Sequence, residues 1–248
     1  MPNPTQQSLE SLLFFSVVSV RETPDLIALP AEVRESVVCR FRPTKSSKQA
    51  LTLAIFNTNE NTSDDSAYAE QGMFFAEVSK VLAITTGMFQ ADADGILQPK
   101  LHTIVSVEED AVINGFYKLI ERIRIKREAD VPLAGFNVKR FHIPFLSKRS
   151  LVNGIEIPDW FQTQGKKPWE QTALDIMEAW DFGGRSDYTG LAAMAYAFGI
   201  RDIQFNPYYL ADNLYHQGLD VNDTQLVAGS RAELTATMRL AKKLGGVA

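Results

Sequence analysis

The chain has 248 residues, of which 45% are hydrophobic and 22% charged, the composition of an ordinary globular protein with a packed core. Its net charge of −5 gives a field that repels nucleic acid as a whole, so binding to nucleic acid would need a local basic patch. One cysteine, Cys39, excludes a disulfide framework and a thiolate metal site. His102, His142 and His216 are too scattered in sequence for a histidine metal cluster. The segment "MPNPTQQSLE" lacks a basic-then-apolar leader pattern, and no apolar run approaches the roughly 20 residues that span a bilayer. A soluble, cytoplasmic protein with no membrane partner is the expectation.

"LLFFSVVSV" (12–20) is short, β-branched and aromatic, as a central strand is. Segment 40–66 is polar and loop-rich around "ALTLAIF", which predicts an insertion within one domain spanning 1–248. "KVLAITTGMF" and "LHTIVSV" predict two strands joined by the turn "ADADG". Val112, Ile113, Phe116, Ile120 and Ile123 recur at helical spacing, which predicts an amphipathic helix over 108–126. "VPLAGFN" (131–137) predicts a strand, and helices follow over 143–153, 172–180, 189–198 and 222–244. Strands first, helices later and one strand–helix–strand unit between them predict an α/β or α+β sheet protein.

Several stretches in this order carry a resemblance: "YAEQGMFFAEVSKVLAITTGMF", "GFNVKRFHIPFL", "NGIEIPDW", "GKKPWEQTALDIMEAWDFGG" and "TGLAAMAYAFGI". Together they resemble the DEDD-type 3′–5′ exonucleases, in particular bacterial proteins related to the exonuclease domain of family B DNA polymerases. The resemblance implies an α/β, ribonuclease H-like mixed central sheet flanked by helices. It also implies hydrolysis by two Mg²⁺ or Mn²⁺ ions about 4 Å apart, held by carboxylates. The family draws these from an Asp-x-Glu on the first strand, an Asp in the second motif and an Asp in the last helix, preceded by a Tyr or His.

The corresponding positions here hold none of these acids. Ser16 and Val18 stand on the first strand, His142 in the second motif, and Val227 and Arg231 in the last helix, where the register needs one inserted residue after Gly218. Val227, Arg231, Leu234, Met238 and Ala241 share a helical face, so Arg231 is expected to point inward. An inward guanidinium repels a divalent ion: even at an effective dielectric of 20, two unit charges 4 Å apart interact by about 4 kcal/mol. A two-metal mechanism, and hence a metal cofactor, is therefore not expected at these positions.

Other acids offer alternatives. Glu22 and Asp25 follow the first strand around Pro24, as in an exposed turn; Tyr208 and Asp212 form a Tyr-x-x-x-Asp of the kind chance supplies. Asp175 matches the family but suits a helix cap. His142 reads first as a half-buried core histidine, then as a phosphate contact with Ser16 and Arg231, and last as a lone metal ligand.

The candidate nucleic-acid contacts are Asn137, Lys139, Arg140, His142, Lys166, Lys167 and Arg231. The run Lys118, Arg122, Arg124, Lys126 and Arg127 reads as a solvated helix end, and Trp160, Trp169 and Trp180 as packing residues; "FGG" (182–184) is a turn and not a phosphate loop. The leading expectation is a catalytically inactive relative of a 3′–5′ exonuclease that keeps single-stranded DNA or RNA binding or a scaffolding role. The alternatives are a protein-interaction module within a complex and an active exonuclease with a displaced metal site.

Overall fold

The computed structural model describes residues 6–41, 63–167, 170–182, 189–201 and 206–245. Its centre is β1 (Leu13–Arg21), in which every residue but the last is buried. A strand covered on both faces reads as a continuous apolar run, and "LFFSVVSV" is one. Beside it lie β2 (Ser79–Ala91), β3 (Leu97–Val105), β4 (Leu133–Gly135) and β5 (Leu174–Asp175). The five-stranded sheet has the order β3-β2-β1-β4-β5. β1, β2 and β3 are antiparallel, while β4 and β5 run parallel to β1. The β2–β3 hairpin turns where Asp92 accepts from the backbone of Asp94 and Ile96, at 3.0 and 2.9 Å, an Asx turn of the expected kind.

Side-chain alternation along β1 sends its residues into separate layers. Leu13, Phe15 and Val17 pack with Val112, Phe116 and Leu146 from α4 (Glu109–Arg127) and α5 (Ile143–Val152). Phe14 faces the other way, into a cluster shared by α1 (Gln6–Ser11), α6 (Ile176–Trp180), α7 (Leu191–Ala197) and α9 (Thr224–Leu244). Val18 and Val20 meet Tyr208 and Ala211 of α8 (Pro207–His216) and Leu226 of α9. Beyond the end of β1, α2 (Ala31–Phe41) and α3 (Asp64–Gln71) bury Val37 and Tyr68 together.

The elements differ from expectation at four places. The strand over 131–137 shortens to three residues, because Asn137 adopts a left-handed conformation (φ 53°) and opens a π-helical turn over Val138–His142. The segment 172–180 is not helical throughout: Leu174 and Asp175 pair with β4 before Asp175 caps α6. The polar region 40–66 is bounded by helices, α2 ending at Phe41 and α3 starting at Asp64; its middle, 42–62, lies outside the described residues. Finally, α1, α2, α3 and α8 add to the expected helices. Of these, α3 buries only Ala67 and Tyr68, too few for a periodic signal. No described helix is long and apolar enough to cross a membrane.

A buried ion pair fastens the α4–α5 layer to β2. The Glu109 carboxylate accepts from Arg149 Nε and Nη2 at 2.8 and 2.6 Å, from Asn153 Nδ2 at 2.8 Å and from the Val81 N–H at 2.7 Å. Arg149 Nη1 donates to the Ala76 carbonyl at 2.8 Å, so no charge is left alone. Breaking such a pair strands the surviving charge, whereas replacing both partners by apolar groups does not. Arg149→Ala is expected to cost about 3–5 kcal/mol in urea unfolding, and Arg149→Met with Glu109→Leu distinctly less. A single-variant loss below about 1 kcal/mol would contradict this role.

Candidate functional site

The site is a consequence of how early β4 ends. Gly135 closes against the central strand so tightly that a Cβ there would lie 2.8 Å from the Phe15 carbonyl oxygen, which leaves only glycine. The chain then turns away through Asn137, and the parallel pairing with β1 stops at Phe14–Ala134. The backbone of Val17 is left at the open edge. Buried N–H and C=O groups must find partners, and here two side chains supply them. His142 Nδ1 accepts from the Val17 N–H at 3.2 Å, and the Tyr208 hydroxyl donates to the Val17 carbonyl at 2.9 Å.

His142 is 4% exposed, and burial depresses its pKa to about 3, against a weaker upward pull from the Phe136 backbone carbonyl. The imidazole is thus neutral and an acceptor toward β1. Phe141 and Phe15 rings flank it with centroids at 4.9 and 6.1 Å. Phe74 packs on Phe141 at 5.7 Å and on the capping Tyr208 at 5.1 Å. The neutral imidazole is therefore enclosed by a cluster of aromatic rings.

Ser16 is buried on the α9 side of β1, and its hydroxyl has no hydrogen-bond partner among the described residues. It is in register with Thr85 of β2, which is in register with Thr103 of β3. The two threonine hydroxyls are 3.2 Å apart, and Arg231 Nε donates to Thr103 Oγ1 at 3.2 Å. Arg231 therefore lies exposed over β3, two strands or roughly 10 Å from Ser16. The expectation of an inward Arg231 is corrected. Leu226 reaches Val18 and Leu234 reaches the Phe14 cluster, so the intervening position on that face is Ser230. Leu234, Met238 and Ala241 are buried as the apolar spacing predicts, but in the first turns of α9 the inward positions are Leu226 and Ser230, with Val227 half-buried and Arg231 exposed.

Two more expected contacts are closed to a ligand, and Asn137 is held only through its backbone, its side-chain Oδ1 having no partner among the described residues. His142 is buried, as above. Lys139 is 8% exposed; its Nζ lies 2.7 Å from Glu178 Oε2. Asn137 is half-buried, and its backbone N–H is held at 3.0 Å by Asp175. Asp175 also accepts from the backbones of Lys139, Met177 and Glu178, which fixes the second motif against α6. Its carboxyl is pushed up by burial, against four backbone donors that favour the charge. Arg140, Lys166 and Lys167 are exposed.

The alternative acids are accounted for as well. The Asp212 carboxylate is 4% exposed and takes the Arg21 N–H at 2.8 Å and its guanidinium at 2.9 and 2.5 Å. Glu22 and Asp25 are exposed in the turn after β1. Trp160 packs on Tyr117 with Arg124 over its ring, and Trp180 packs on Phe198. Arg127 donates to the carbonyls of Ser11 and Glu10. Trp169, Gly183 and Gly184 lie outside the described residues.

One further acid stands outside the motif positions. Glu233 is three residues beyond Ser230 on the inward arc of α9, half-buried, and burial pushes its carboxyl up to about 7. Its spacing from Leu226 is the signal in the sequence that could have found it. Among the described residues no three His, Cys, Asp or Glu side chains group as a metal site. A serine, a valine and a neutral, already bonded imidazole do not fit a pair of hard divalent ions, which require anionic oxygen ligands.

Residues 74–197 match the family described as a predicted 3′–5′ exonuclease related to the exonuclease domain of PolB. Among solved structures, the family B DNA polymerase from the hyperthermophilic archaeon Pyrobaculum calidifontis is similar, with a TM-score of 0.52 and 14% identity. The match covers 94% of this chain and 24% of the polymerase, so the chain spans about a quarter of that protein. At this identity the likeness shows the fold, a ribonuclease H-like α/β sheet. No curated protein matches the chain.

His142 and Glu233 titrate with opposite consequences. The folded-state pKa of His142 lies below its unfolded value, so its contribution is complete above about pH 6.5 and is lost as pH falls toward 3. The slope approaches about 1.4 kcal/mol per pH unit within that window. Glu233 has a raised folded-state pKa, so its neutral form favours folding at low pH and that contribution is lost between about 4.5 and 7. In urea unfolding, His142→Gln is expected to be less stable at pH 7 and to lose the acid-side slope. Glu233→Gln is expected to gain stability at pH 8 and little at pH 4.5. Unchanged pH profiles in both variants would contradict the burial of these groups.

Proposed function

Because the chain belongs to the family of predicted 3′–5′ exonucleases related to the exonuclease domain of PolB, we propose that it keeps that fold as a nucleic-acid-binding protein that does not hydrolyse phosphodiesters. The observation that carries the reading is the use of the second-motif position. His142 is neutral, buried and spent on the Val17 backbone, with Tyr208 beside it. A metal ligand at this position would need to face the cleft with an available lone pair. Ser16 and Val18 offer no negative charge to neutralise an ion. No divalent ion is required in this reading, and a soluble, cytoplasmic setting accompanies it.

The partner is a single strand of DNA or RNA, since an unstacked strand offers bases to exposed aromatic rings and phosphates to a few cations. A second reading, a protein-interaction module inside a complex, draws on the net charge of −5, which disfavours nucleic acid at long range. Displaced catalysis through Asp212 is disfavoured because Arg21 occupies both of its oxygens.

The two activities separate in one experiment. The protein is expected to leave labelled single-stranded DNA and RNA intact with Mg²⁺ or Mn²⁺, and to bind them with an affinity that falls steeply with salt. Digestion abolished by Asp212→Asn or Glu22→Gln would establish the displaced site instead. Absence of binding at low salt would favour the protein-interaction module.

A further inference from the structure

Next to the capped edge of β1 lies a surface pocket of about 100 Å³ between the end of α2, the turn Gly72–Phe74 and the start of α5. Its wall includes Phe74 and Phe141, and its rim Arg40, Arg140 and Lys148 with one carboxylate, Glu77. The charges are not evenly matched. Arg40 forms a forked pair with Glu77, at 3.0 and 3.1 Å, while Lys148 is 3.9 Å from the same carboxylate and its side chain 60% exposed. Arg140 is exposed and has no side-chain partner among the described residues. Arg40, Arg140 and Lys148 thus share the single carboxylate of Glu77, which leaves the rim net positive in a chain whose overall charge is negative.

The aromatic wall is exposed as well. Phe74 is 38% accessible, although it is a large hydrophobic residue beside a buried cluster. Its ring meets Phe141 at 72°, so the two rings do not stack on each other. An aromatic wall beside a rim with excess positive charge matches a flat, apolar ring system that carries an anion. Bases stack on aromatic side chains regardless of sequence, and guanidinium and ammonium groups take phosphate.

We infer that this pocket receives one nucleotide of a single strand, its base against Phe74 and Phe141 and its phosphate between Arg140 and Lys148. The inference rests on the nucleic-acid-binding reading above but places the interaction outside the positions where the family holds its metals. It deepens that reading by naming a surface that the buried Lys139 and His142 cannot provide.

The test is fluorescence anisotropy with a labelled oligothymidylate of about 12 nucleotides, since one such module spans roughly 4–16, and competition by thymidine monophosphate. Arg140→Gln with Lys148→Gln is expected to weaken the strand at least tenfold. It should also lower the slope of log affinity against log salt by about 0.7, the share of the one phosphate no longer neutralised. Phe74→Ala is expected to weaken it about 5- to 100-fold, as removal of a stacking ring does; thermal melts confirm that it remains folded. Lys118→Gln with Arg122→Gln is the charge-matched control and should change little.

Equal weakening in the control and the pocket variants, or none in either, overturns the pocket while leaving strand binding intact. Thymidine monophosphate binding that the pocket variants abolish, without strand binding, supports the pocket and removes the strand reading. Binding of neither probe overturns both.

Discussion

The arrangement of the molecule follows from the backbone of one residue. Val17 lies in the middle of the central strand, yet β4 ends before reaching it, because Gly135 and the left-handed Asn137 turn the chain away. A buried N–H and C=O left without partners would cost a few kcal/mol, so something must reach that edge from outside the sheet. His142 arrives from the turn preceding α5 and Tyr208 from α8. Two segments far apart in sequence are thereby pinned to the strand that both core layers share.

Three buried acids, Glu109, Asp175 and Asp212, are used for cohesion. Glu109 joins α4, α5 and the start of β2; Asp212 holds α8 to the end of β1; Asp175 gathers the backbone of the second motif and caps α6. Each is buried and each is matched by donors that satisfy its charge. A carboxylate so engaged has few lone pairs left for a metal ion, and recruiting one would leave Arg149, Arg21 or several amides unpaired. These three carboxylates are thus committed to the fold, whereas the Glu233 carboxyl, pushed up by burial, is not among them.

The strands on which the fold depends are legible because their signals are local. β1 and β2 are long apolar runs, the "ADADG" turn carries its own Asx chemistry, and the apolar spacing of α4 needs no tertiary help. What the sequence does not disclose is set by distant parts of the chain. β5 is two residues long and exists only because β4 lies next to it. Lys139 looks like a surface cation until α6 brings Glu178 to it. The inward face of α9 is ambiguous by one residue, since Arg231 and Ser230 lie about 100° apart on a helix and an apolar stripe that wide admits either. The resemblance carries the family and the sheet; it does not carry the side-chain geometry.

The edge caps and the pocket are parts of one surface. Phe141 touches His142 on one side and Phe74 on the other, and Phe74 touches Tyr208. The rings that exclude water from the capped Val17 backbone therefore also form the wall on which Arg140 borders. A buried, neutral imidazole suits this cluster, whereas an anion in its place would draw water and cations toward the rings. His142 thus supports, from behind Phe141, the aromatic wall proposed to receive a base. The absence of hydrolysis and the strand binding proposed above then share one physical origin, a change in the polarity of the cleft wall.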